Sequence, residues 1–136
     1  MRLFIFAFLA MILLALPSDG AFIGKKNLWQ CTGVNTTVSL NKNIENAETY
    51  ITTGEIWINP NYFKNKSPLL QQFIFQHECG HAHGIRNESG ADTYAFYTLE
   101  TTHHMNKKLI KEICATGIDK SRCDNLRQLY KQDFEK

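Results

Sequence analysis

The chain has 136 residues, a formal net charge of +2 and 21% charged residues. That length suits one small domain. The near-balanced charge speaks against a nucleic-acid binder, which needs a concentrated basic face, and the local group Lys107, Lys108 and Lys111 reads as a solvated helix face.

The chain opens MRLFIFAFLAMILLALPSDGAF: Arg2 gives a short positive start, Leu3 to Leu16 are apolar, Pro17 breaks the run, and Ser18 and Gly20 are small. This is the layout of a secretory signal peptide over residues 1–20, cut before Ala21, leaving a domain of residues 21–136. The apolar run falls short of the roughly 20 residues that span a bilayer, so the cleaved product is expected to be free of the membrane. An uncleaved anchor is the alternative. The exported protein would be secreted or periplasmic. It carries four cysteines, Cys31, Cys79, Cys114 and Cys123, an even count that suggests disulfides in an oxidising compartment. Cys114 and Cys123 flank a turn and are expected to pair. Cys31 with Cys79 is the remaining pair, unless Cys79 is a buried thiol.

TTVSL, residues 36–40, alternates as a strand. ETYITTGEIWIN, residues 48–59, reads as a hairpin with Tyr50, Ile51 and Thr52 leading in, Gly54 at the turn and Ile56, Trp57 and Ile58 leading out. Asn59-Pro60-Asn61 ends the second strand. From Ser67 the pattern turns helical: Ser67 suits an N-cap and Pro68 the first helical position. Gln71 is placed to complete the first-turn cap, and Leu70, Phe73, Ile74, His77 and His81 recur at helical spacing before Gly84 stops the helix. A second helix is expected from Asn87 or Glu88 towards Thr116, with Ala91, Ala95, Leu99 and Thr102 along one face. A third spans roughly Lys120 to Asp133, with Leu126, Leu129 and Tyr130 inward. The expected fold class is α+β: a short antiparallel sheet followed by three helices.

HECGH, residues 77–81, puts two imidazoles one turn apart on one helix face. Glu78 sits about 100° round from His77, where its carboxylate reaches a water without binding the ion. Such an arrangement offers two zinc ligands and a general base. A catalytic zinc takes a third protein ligand and keeps one open position. Glu88 and Asp92, four apart at the start of the next helix, both face the histidines when the helices pack antiparallel. One of them can bind zinc and the other can hold a histidine ring by a hydrogen bond. His83 points away from this face and reads as a helix-end residue. His103 and His104 read as solvent-facing. Tyr94 and Tyr97 read as packing residues or as donors of a hydrogen bond to an oxyanion.

HECGH followed by ESGAD resembles the H-E-x-x-H plus E-x-x-A-D signature of gluzincin-type metallopeptidases. That resemblance implies a minimal zincin-like domain, with Zn²⁺ on His77, His81 and Glu88, Glu78 as catalytic base and Asp92 orienting a histidine. It also implies a peptide or protein substrate, and GEIWINP resembles the substrate-aligning edge strand of such enzymes. The six residues between His81 and Glu88 are fewer than in many gluzincins. The spacing to Asp92 resembles aspzincins instead, which would make Asp92 the third ligand. In the metzincin pattern Gly84 matches, but Asn87 stands where a histidine would be. The expected activity is therefore zinc-dependent peptide hydrolysis. The alternatives are an inactive zinc-binding or regulatory secreted domain, a zinc amidase acting on cell-wall peptides, and a disulfide-bonded helical domain whose histidines are surface groups.

Overall fold

The computed structural model describes residues 29–135. The expected signal peptide, residues 1–20, lies outside them. Three strands, β1 (Thr37–Leu40), β2 (Ala47–Tyr50) and β3 (Glu55–Ile58), precede the helices α1 (Pro60–Phe63), α2 (Pro68–Ala82), α3 (Glu88–Thr101), α4 (Lys107–Cys114) and α5 (Lys120–Phe134). The α+β class holds, with a three-stranded mixed sheet followed by helices.

Two expectations about the sheet are corrected. It is not wholly antiparallel: the strand order is β1-β3-β2, with β1 parallel to β3 and β2 antiparallel to it. The GEIWINP strand is therefore the central strand, paired on both sides, and β1 and β2 are the edges. The hairpin is the expected one, but its first strand begins at Ala47, and Ile51 and Thr52 belong to the turn that Gly54 closes at φ +72°. An L side chain is strained at that φ. A Cβ there would also lie 2.6 Å from the carbonyl oxygen of Asn35.

The helices differ from expectation in number. One turn, α1, follows β3, capped by Asn59, whose side chain accepts from the Asn61 N–H at 2.9 Å. The long second helix breaks after Thr101, and the chain passes through His103 at φ +60° before α4 begins under an Asn106 cap. Ser67 caps α2 as expected, accepting from the Leu70 N–H at 3.2 Å. Gln71 does not complete that cap. It is buried and donates to the carbonyls of Phe63 and Lys66, tying the end of α1 to α2.

The helix α2 is buried on two sides, which is why apolar residues run round it rather than along one stripe. Leu70 and Phe73 face the helices, in one cluster with Phe96, Leu99, Leu109 and Leu126. Phe75 and Cys79 face the sheet, in a second cluster with Trp29, Ile56, Ile58 and Phe63. The expected Cys114–Cys123 disulfide is present, and Cys31 and Cys79, whose pairing the sequence left open, are joined as well. Cys31–Cys79 ties the segment before β1 to α2, and Cys114–Cys123 ties the end of α4 to the first turns of α5, with Cα separations of 5.4 and 5.5 Å. In the chain-entropy view these cross-links stabilise by about 4 and about 2.7 kcal/mol, the first more because it spans 48 residues against 9. Among the described residues, no helix is long and apolar enough to cross a membrane.

Candidate metal centre

Two local features bring α3 against the histidine face of α2. Gly84, at φ +95°, ends α2, and the Ile85 N–H closes the last turn on the Gly80 carbonyl at 3.1 Å. Asn87 then caps α3 by accepting from the Gly90 N–H, so the chain reverses within a few residues. The two helices meet at Gly80, where a Cβ would lie 3.1 Å from the Cα of Ala91 and 3.2 Å from the Cβ of Tyr94. A glycine lets the backbones come this close without strain, and that closeness puts the first turn of α3 within reach of both imidazoles.

His77 Nε2 and His81 Nε2 lie 3.1 Å apart. Glu88 Oε2 is 3.1 Å from the first, and Glu88 Oε1 is 3.2 Å from the second. The opposite ring nitrogens have their own partners: His77 Nδ1 meets Asp92 Oδ1 at 2.7 Å, and His81 Nδ1 meets the Ile85 carbonyl at 2.6 Å. A carbonyl can only accept and an ionised carboxylate can only accept, so both Nδ1 atoms carry the proton. In the neutral rings both Nε2 atoms then carry lone pairs that face each other and a carboxylate.

Three acceptors in one place repel unless a proton or a metal cation sits among them. Ligands about 2.0–2.1 Å from a tetrahedral zinc lie about 3.3–3.4 Å from one another, close to the separations seen here. His77, His81 and Glu88 could thus hold one metal ion. Charge favours a cation as well: the three carboxylates Glu78, Glu88 and Asp92 against the one guanidinium of Arg122 leave a formal charge of −2 around the two rings.

The two carboxylates of α3 take different places. Glu88 has a half-exposed side chain turned to the imidazoles. Asp92 is fully buried, with both oxygens engaged: it accepts from His77 and, at 2.7 and 2.8 Å, from Nε and Nη2 of Arg122. The geometry brings Glu88, and not Asp92, to the two Nε2 atoms. Burial alone would raise the Asp92 pKa, but the hydrogen bonds from Arg122 and His77 outweigh it and hold the group below the usual carboxylate range. For His77 burial disfavours the imidazolium, but the hydrogen bond and charge of Asp92, with the charges of Glu78 and Glu88, more than offset this, so its pKa is raised. The ring is thus a more basic ligand than an isolated imidazole.

Glu78 lies beside the ligands at the floor of a cavity of about 450 Å³. Thr49 Oγ1 donates to its Oε2 at 2.5 Å. Burial pushes the Glu78 pKa up, and Glu88 adds to this; the Thr49 hydrogen bond and the two histidines pull the other way without cancelling it. A carboxyl group raised in this way is suited to taking up and giving back a proton. One wall of the cavity is the edge of β2, from Asn46 to Ile51. The other is Ile113, Thr116, Ile118 and Arg122, around the loop that Cys114–Cys123 closes.

Tyr94 and Tyr97 do not line this cavity. Tyr94 packs against Gly80 and against the ring of His83, and Tyr97 is exposed beside Phe96. His83 stands at the end of α2, hydrogen bonded at 2.7 Å to the Thr32 carbonyl, and His103 and His104 are exposed. Two residues of the site escaped the sequence reading. Arg122 had a signal, since a buried Asp92 requires a partner for its charge. Thr49 had a weaker one, as a hydroxyl on the inward side of a strand next to Ala47.

No protein-family profile, curated protein or solved structure matches this chain.

Proposed function

We propose that this chain is an exported zinc-dependent metallopeptidase, a minimal zincin-like domain with Zn²⁺ on His77, His81 and Glu88 and Glu78 as the general base. The convergence of two Nε2 atoms and a carboxylate beside a raised, hydrogen-bonded glutamate carries this reading. Zinc bound there would lower the pKa of a water towards about 7 and polarise a substrate carbonyl.

The chain's own groups do the rest. Asp92 holds the His77 ring and Arg122 holds Asp92. Thr49 aims the carboxylate of Glu78. Glu78 takes a proton from water and passes it to the leaving amine. The substrate-aligning role expected of the GEIWINP strand passes to β2, the edge strand that lines the cavity. The Asn59 N–H donates to the Asn46 carbonyl, which makes Asn46 and Asn59 a hydrogen-bonded pair of the antiparallel ladder. By alternation Ala47 and Thr49 turn their main-chain groups away from β3, to the cavity side. An extended peptide paired there would pass beside Glu78.

Replacing Glu78 by Gln tests the assignment. The zinc-loaded variant is expected to keep its metal and lose about 10²- to 10⁴-fold in kcat for peptide hydrolysis. Hydrolysis at the wild-type rate would refute the role given to Glu78.

A further inference from the structure

The β2 edge presents two chemically different faces. Ala47 is buried and Thr49 meets Glu78, so both point to the cavity, whose floor and far wall include Leu70, Phe73, Ile74, Ile113 and Ile118. Glu48 and Tyr50 alternate with them onto the outer face of the sheet. There Glu48 stands opposite Trp57 and Tyr50 opposite Glu55, and the Tyr50 and Trp57 rings meet edge to face at 6.2 Å. The Tyr50 hydroxyl donates to Glu48 and the Trp57 indole N–H to Glu55. The outer sides of β2 and β3 thus carry two carboxylates and two aromatic rings and no basic side chain. Neither carboxylate makes an ion pair with a described residue.

A peptide added to the edge of β2 sends its side chains alternately to these two faces. We infer that the preferred partner is an extended peptide of alternating apolar and basic residues, its apolar side chains in the cavity and its lysines or arginines beside Glu48, Tyr50 and Trp57. Opposite charges placed directly across a strand pair attract, and an ammonium or guanidinium also gains from the faces of the two rings. Like charges across the pair repel, so an acidic peptide of the same pattern is excluded on the same grounds. This inference rests on the proposed hydrolase only for the position of the edge beside Glu78; the binding preference itself needs no metal.

The test compares three capped octapeptides: alternating leucine and lysine, alternating leucine and glutamate, and four leucines followed by four lysines. Binding to the wild-type chain and to Glu48→Lys is measured by titration calorimetry, and cleavage by the zinc-loaded protein is followed by mass spectrometry. The alternating lysine peptide is expected to bind at least about fivefold tighter than either of the others. Glu48→Lys, a change at an exposed position, is expected to reverse the order of the lysine and glutamate peptides. Equal binding of the lysine and glutamate peptides, equal binding of the alternating and block peptides, or an unchanged order in Glu48→Lys overturns the inference. Should the expected order appear while no peptide is cleaved, the peptide preference stands and the hydrolase reading falls.

Discussion

Along the seam between α2 and α3, Gly80 and Ala91 are in near contact and the side chains of His77 and Asp92 are almost wholly out of water. Across the cavity, along β2 and the turn that follows it, Glu48, Tyr50 and Ile51 stand in solvent, and of that strand's side chains only Thr49 reaches the site by a hydrogen bond. The seam fixes several polar groups by burying them, because a buried polar atom must keep its partner. The edge fixes one and leaves main-chain groups beyond the Ala47 N–H, which the Asn46 side chain takes, turned outward. Groups that must hold a metal belong on the first kind of surface. A chain that must come and go belongs on the second.

The seam is broken most severely at its buried carboxylate. Asp92→Asn takes the paired carboxylate from Arg122, leaving it only the looser contact with Glu88 at 3.6 Å, and lets an amide N–H face His77. Metal affinity is expected to fall about 10- to 100-fold. Stability should drop by about 2 to 3 kcal/mol, less than for a fully buried pair because Arg122 is partly exposed. Competition with a chelator and urea unfolding measure the two. Because the Asp92 pKa is depressed by folding, its contribution to stability is present above the unfolded value of about 3.9 and is lost as the pH falls through the lower folded value. The Asn variant should lack that part of the acid transition.

A smaller intrusion, Gly80→Ala, tests the spacing of the seam. The added methyl would lie 3.1 Å from a backbone atom of Ala91. The overpacking cost of about 1 to 3 kcal/mol exceeds the gain in helix propensity of at most about 1 kcal/mol. The variant is expected to be less stable by thermal unfolding and to bind zinc severalfold more weakly, since Glu88 moves away with α3.

The edge is probed most gently by Thr49→Val, which keeps the shape and removes the hydroxyl. The loss of one hydrogen bond is expected to cost about 0.5 to 1.5 kcal/mol. That bond lowers the Glu78 pKa, so its removal raises the pKa further, and the acid limb of the kcat/KM profile should move to higher pH. An unmoved limb would separate Thr49 from the proton transfer.

The sequence showed the seam well and the edge poorly. Ser67, Pro68 and Gly84 bound α2, Asn87 opens α3, and a four-residue spacing in each helix puts His77, His81, Glu88 and Asp92 where they are seen. These are local signals, and the short reversal between the helices preserves them. The break between α3 and α4 carries no glycine or proline: Thr102, His103 and His104 take the turn, and His103 does so at positive φ, which sequence preference does not announce. The strand order depends on β1 pairing parallel to β3 past an intervening strand, and such pairing leaves no short-range trace. Thr49 and Arg122 lie 29 and 30 residues from the groups they hold. Their own surroundings mark them only weakly, Thr49 as an inward hydroxyl on a strand and Arg122 as the partner that a buried Asp92 requires.

The most direct test is the zinc content of the purified chain after dialysis, beside that of His77→Ala, His81→Ala, Glu88→Ala and Asp92→Ala. The expected result is about one zinc per wild-type chain, loss of the metal in both histidine variants and in Glu88→Ala, and weakened but measurable binding in Asp92→Ala. A wild-type chain that takes up no zinc, or a full complement of zinc in a histidine variant, would contradict the proposed centre.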